Sequence, residues 1–201
     1  MSVLAKGDLR REYGVDWRDL KWLTLWKEQI PSPGLPLTQL PPDADPTKML
    51  LEGNAAALVH PHPPQEALSG RHGIRRLFVD TQEECERYFR RHRYLPIMHL
   101  LAIQNSVVQR EPELPAVLMR TWNEARALTE DSYQDPAFGL PVFTRLAYER
   151  QKVILGEDPW SSGVGLNRLN LSRFMEDMVD QRLLAHALTP EELFHASVLD
   201  T

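Results

Sequence analysis

Six of the sixteen prolines fall between Pro31 and Pro46, and three more follow at Pro61, Pro63 and Pro64. Proline has no backbone N–H to give to a sheet ladder, so no central strand can run through either stretch. The first stretch is therefore expected to be loop, and the second a stiff turn. Short apolar runs stand around them. Leu20–Leu25 is β-like and rich in apolar and aromatic residues, and Ala55–Val59 reads as a small buried strand running into His60-Pro61-His62-Pro63-Pro64. Ile74–Val79 is a third candidate, and Leu95–Ile103, the longest apolar run, is the best candidate for a central strand.

Helical spacing fills the intervals. Residues 3–13 read as the end of a helix stopped by Gly14, and Thr47–Glu52 as a short helix stopped by Gly53. Residues 82–93 place Cys85, Tyr88 and Phe89 on one face, which predicts a packed, inert thiol. Leu114, Val117, Leu118, Thr121, Ala125 and Leu128 keep helical spacing behind Pro112, a first-turn proline. Further amphipathic segments cover residues 141–155 and the stripe Leu171, Phe174, Met175, Met178 and Val179. Thr189-Pro190-Glu191-Glu192 carries the capping-box pattern. The alternation of short strands with helices predicts an α/β fold with a parallel sheet in the first half and a mostly helical second half, the seam lying at Leu95–Ile103.

Composition narrows the class. An apolar fraction of 42% and a charged fraction of 25% are those of a water-soluble globular chain. A net charge of −5 gives no basis for binding nucleic acid, which asks for a concentrated basic surface. The single cysteine excludes an intrachain disulfide, and no apolar stretch is long enough to span a bilayer. The first fourteen residues, charged at Lys6, Asp8, Arg10, Arg11 and Glu12, lack the apolar core of a secretory signal, so the expected location is cytoplasmic.

Several blocks together resemble the 4,5-dihydroxyphthalate decarboxylase family, whose members have a two-lobed fold like that of periplasmic binding proteins. They are Glu12-Tyr13-Gly14-Val15, Gly53–Leu58 running into Pro63-Pro64, Ile74–Phe78, and Leu95–His99. Glu157-Asp158-Pro159-Trp160, Gly163, Asn167-Arg168 and Leu188–Phe194 complete the pattern. The resemblance implies two α/β lobes hinged about crossing strands, with a ligand cleft between them. Residues 1–95 would form the second lobe, incomplete at its start, and residues 96–201 a crossing strand and a helical return to the first lobe. It also implies that family members begin well before the position matching Met1, so that most of the first lobe's sheet is missing here. The apolar surface left uncovered would call for an upstream segment or a second copy of the chain.

The implied activity is a cofactor-free loss of one carboxylate from a dihydroxylated phthalate, giving protocatechuate and carbon dioxide. His60 and His62 could hold a metal, but with no acidic or cysteine residue nearby in sequence a metal site is not expected. The ring carbon must be protonated as the C–C bond breaks, and a hydroxyl para to it pushes electron density onto it. Histidine, with an ordinary pKa of roughly 6.5, suits the acid/base role. His99 is the first choice, as donor to the ring carbon or base to a phenol; the alternative is a core histidine bonded to backbone. His62 is a second catalytic candidate. With His60 it sits where a short strand breaks at its carboxyl end, the edge at which ligands of open α/β sheets gather. Such decarboxylases tend to carry arginine where this chain has His62. That departure weakens the assignment of a dianionic substrate, because arginine holds carboxylates bidentately and histidine does not.

His60, Trp160, Asn167 and Arg168 are the candidate substrate-binding residues, the last three on a Gly-punctuated loop entering a helix. Trp160 packing the loop and Arg168 standing in solvent are the structural alternatives. Trp17, Trp22 and Trp26 are expected to pack the sheet, and His72, His92, His186 and His195 to lie at the surface. Arg87, Arg90, Arg91, His92 and Arg93 complement a helix dipole at its carboxyl end. Two other readings stay open: a solute-binding protein for a small carboxylate, and an inactive truncated remnant.

Overall fold

In a computed structural model, residues 2–27, 37–70, 73–139 and 141–201 are described. Pro31, Pro33 and Pro36 of the expected loop, and His72, lie outside them. Helices dominate: α1 (Ser2–Tyr13), α2 (Pro46–Leu51), α3 (Gln65–Ser69), α4 (Thr81–His92) and α5 (Asn105–Arg110) are followed by α6 (Leu114–Ser132), α7 (Thr144–Leu155), α8 (Arg168–Asp180) and α9 (Pro190–Leu193). The one sheet among the described residues pairs β1 (Trp22–Thr24) with β2 (Leu37–Gln39) in parallel, Leu23 opposite Thr38. The chain divides into two compact units, Met1–Glu84 with Arg173–Ala187, and Cys85–Ser172 with Leu188–Thr201.

Local signals account for the helix ends. The Asp45 carboxylate accepts from the N–H groups of Thr47 and Lys48 at 2.9 and 3.1 Å, and Pro46 occupies the first turn of α2, where its missing donor costs nothing. Glu192 reaches back to the Thr189 N–H at 2.8 Å, as the capping-box pattern predicts. Gly14 and Gly53 both take left-handed φ values at the ends of their helices. At the end of α8 that place falls to Arg182, with φ 59°, and the Leu183 N–H returns to the Met178 carbonyl at 2.8 Å.

In the first unit, α1 packs on the last turns of α8 through polar groups. Asp177 is buried and takes a forked pair of hydrogen bonds from Arg11. Gln181, also buried, donates to the Val3 carbonyl at 2.8 Å. Asp180 gathers Arg10, Arg18 and the Trp17 indole N–H, the last at 3.0 Å. Trp17 is buried, its carbonyl accepts from the Trp22 indole at 2.8 Å, and the Lys6 ammonium stands over the Trp22 ring.

The second unit has an apolar core of Val164, Leu171 and Val198, with Ile97, Met119, Phe194 and Leu199 against it. Buried Asn170 clamps the chain at Leu95 and Ile97, donating to the Leu95 carbonyl at 2.7 Å and accepting from the Ile97 N–H at 3.4 Å. Buried Glu86 is held by Arg90 at 2.9 Å and Arg150 at 3.1 Å.

Several expectations need correction. Ala55–Val59, Ile74–Val79 and Leu95–Ile103 form no strands. An extended segment becomes a strand only when a neighbour supplies the ladder, and no described residue pairs with any of them. Conversely, the stretch from Pro31 to Pro46 is not all loop. Leu37-Thr38-Gln39, free of proline, keep their donors and pair with β1. The proline in the first turn of α6 is Pro115 rather than Pro112. Cys85 is exposed, because the inward face of α4 is set by Phe89 and the ion-paired Glu86. Trp26 is exposed beyond the end of β1. His92 is half-buried, its ring 4.4 Å from that of Tyr88.

Candidate functional site

Two unpaired extended segments of the first unit make the site. Residues 55–64, between α2 and α3, form one wall, and residues 73–78, leading into α4, form the other. Between them lies a cleft of about 510 Å³, a volume typical of small-molecule pockets. Its walls are mostly apolar: three alanines, Leu58, Pro63, Pro64, Ile74, Leu77 and Phe78. The ionisable groups among its lining residues are His60, Arg75 and Arg76, and no carboxylate lines it.

The two arginines differ in what they do. One guanidinium nitrogen of Arg75 donates to the Arg76 and Leu77 carbonyls, each at 2.9 Å, bracing the wall. The Arg76 side chain is exposed and makes no hydrogen bond or ion pair with the described residues. Thr81 also lines the cleft, its hydroxyl donating to the Phe78 carbonyl at 3.2 Å.

His60 is oriented by the following turn. Its Nδ1 lies 2.6 Å from the His62 carbonyl and 3.0 Å from the His62 N–H. The first contact needs a proton on Nδ1 and the second needs a lone pair there, so the tautomer decides which is made. With Nδ1–H against the carbonyl, the neutral ring offers Nε2 as a base. With the N–H bond, Nε2–H is a donor. The imidazolium offers a donor at both nitrogens. The His62 ring stands edge-on to that of His60, centroids 6.0 Å apart, and His62 does not line the cleft. Among the described residues, no group of three or more His, Cys, Asp or Glu side chains is placed to hold a metal ion.

The remaining sequence-predicted residues belong to the second unit. His99 is exposed on the extended segment after Ile97. Trp160 is 59% exposed, and its carbonyl accepts from Arg126 at 2.6 Å. Arg126 also forks onto Asp158 at 2.7 and 3.0 Å, and that hydrogen bond raises the guanidinium's pKa. The Asn167 amide donates to the Ser161 and Gly163 carbonyls at 2.7 and 2.9 Å, so it closes its own loop. Arg168 pairs with Glu191 at 2.9 Å and holds that carboxyl below its ordinary range.

Of the six residues predicted from sequence, His60 alone lines the cleft. Arg75 and Arg76 were missed. The signal available was their position in the run Ile74–Val79, where two adjacent cations interrupt an apolar segment opposite His60.

No family model matches the chain. The 4,5-dihydroxyphthalate decarboxylase of Comamonas testosteroni is 25% identical over 212 residues, an alignment covering 100% of this chain and 64% of that protein. The chain is thus a distant relative of that protein and spans less than two thirds of its length. No described helix is long and apolar enough to cross a membrane.

Proposed function

We propose that the chain is, or is part of, an aromatic carboxy-lyase that converts a dihydroxylated phthalate such as 4,5-dihydroxyphthalate to protocatechuate and carbon dioxide. The observation that carries this reading is the similarity over the whole chain to a protein of that name. The cleft supports it, since an apolar wall and cationic groups without a lining acid suit a ring bearing carboxylates. The two-lobed, periplasmic-binding-protein-like α/β fold implied by the resemblance belongs to the same proposal.

In this reading the C–C bond to one carboxylate breaks, its electron pair stays on the ring carbon, and carbon dioxide leaves. The hydroxyl para to that carbon feeds the ring as it accepts a proton. His60 is the acid within the cleft: the imidazolium's Nε2–H gives that proton while the turn at His62 holds Nδ1. His99, the first choice from sequence, is the competing candidate.

The test is to incubate the purified chain with 4,5-dihydroxyphthalate and follow carbon dioxide and protocatechuate. Stoichiometric release of both is expected, either from this chain or from a version extended upstream in frame. Tight binding without product in both forms would replace the lyase with a solute-binding protein.

A further inference from the structure

We propose that Arg76 is the carboxylate anchor of the cleft, receiving one carboxylate of an aromatic acid whose ring lies between Leu58 on one wall and Ile74 and Phe78 on the other. The substrate class rests on the carboxy-lyase reading; the binding of an aromatic carboxylate does not require turnover.

The case begins with charge. Arg168 is paired with Glu191, Arg126 with Asp158 and Arg145 with Glu149, so those guanidiniums are already engaged by carboxylates. Arg76 has none among the described residues, yet it lines a concavity with no acid in its walls. Low-dielectric walls focus the field of such a cation into the cleft, so the space favours an anion. Arg75, beside it, spends a guanidinium nitrogen on two backbone carbonyls and leaves the neighbouring fork to do the binding.

Geometry then selects the kind of anion. A guanidinium presents parallel N–H groups that match a carboxylate bidentately, where an ammonium is only a point charge. Apolar surface from Leu58, Ile74 and Phe78 suits a flat ring better than a free inorganic ion. Across the cleft, His60 supplies a second polar contact through Nε2. A carboxylate on Arg76 and a ring between the two apolar walls would leave the other substituents toward the histidine.

Isothermal titration of the full chain with phthalate, benzoate and catechol decides the matter. Phthalate is expected to bind best and catechol, lacking a carboxylate, to bind weakly or not at all. Arg76→Gln should weaken phthalate roughly ten- to a hundredfold, the worth of a charge-assisted hydrogen bond, and Arg76→Lys should lose less. Arg76 has no partner to lose, so the urea midpoint of both variants should match the parent. Undiminished phthalate binding by Arg76→Gln would overturn the anchor, as would catechol binding equal to phthalate or no phthalate binding by the parent. Parallel decarboxylation assays separate the two proposals. Binding lost in Arg76→Gln with no product from the parent keeps the anchor and removes the lyase. Product from Arg76→Gln with an unchanged KM removes the anchor and keeps the lyase.

Discussion

The Arg11 guanidinium forks onto the buried Asp177 carboxylate, which lies against Gly7 one turn earlier on the same helix. A Cβ at position 7 would overlap all three atoms of that carboxyl group. Helix α1 and the carboxylate of α8 therefore meet only because residue 7 has no side chain.

Arg11→Met should leave the Asp177 charge buried without its partner and destabilise the fold by about 3–5 kcal/mol. Adding Asp177→Leu should recover most of that loss, since removing both charges leaves neither uncompensated. Urea unfolding of the single and double variants measures both effects. A loss below about 1 kcal/mol in the single variant would show that water reaches the carboxylate. Gly7→Ala should cost about 1–3 kcal/mol by overpacking the same contact.

Stability should fall in acid through Asp180. Burial pushes its carboxyl pKa up, but hydrogen bonds from Trp17, Arg18 and Arg10 outweigh that and hold it at about 2. A carboxyl whose folded pKa lies below its unfolded value stabilises the fold above the unfolded pKa. That contribution disappears as pH drops through the folded value. The expected window is therefore from about pH 5 down to pH 2, with a contribution on the order of 1–2 kcal/mol after solvent screening. Asp180→Asn should flatten that part of the stability–pH curve, and an unchanged slope would assign the acid sensitivity elsewhere.

Asn170 satisfies two backbone groups of the apolar run at Leu95 and Ile97. Replacing it with alanine strands both, at a cost of about 1–3 kcal/mol. Chemical denaturation reads the loss, and amide exchange at Ile97 should quicken in the same variant. Protection at Ile97 that survives the substitution would show that another group holds that segment.

The histidines can be ranked by turnover on 4,5-dihydroxyphthalate. His60→Gln should lower kcat by roughly a hundredfold or more if its Nε2 delivers the proton, with phthalate affinity lowered less than in Arg76→Gln. His99→Ala should leave kcat within a few-fold in that case. The reverse ranking would return the proton donor to His99.

Helix ends were legible in the sequence because their causes are local. A box from Thr189 to Glu192 and stops at Gly14 and Gly53 each act within a few residues; the Asp45 cap that opens α2 is as local but appeared only in the structure. The Cys85 face of α4 was misread because periodicity names a stripe without saying which side turns inward. On α4 that was decided by Glu86, which Arg150 reaches from a helix far along the chain. Of the candidate site, the turn at His60 was visible from its prolines, while the arginines opposite it were not.

By itself the sequence determined where this chain can and cannot make helices, since capping, proline geometry and glycine's left-handed freedom are short-range. It also carried the resemblance to aromatic carboxy-lyases, which the distant relative supports. Only the tertiary structure decided which apolar runs stay unpaired, because a strand exists through the ladder of another segment. It alone brought His60 and Arg76 to one cleft and committed Asn167 and Arg168 to protein partners. Charge and hydrogen bonding act through space, and spacing along the chain does not encode that distance.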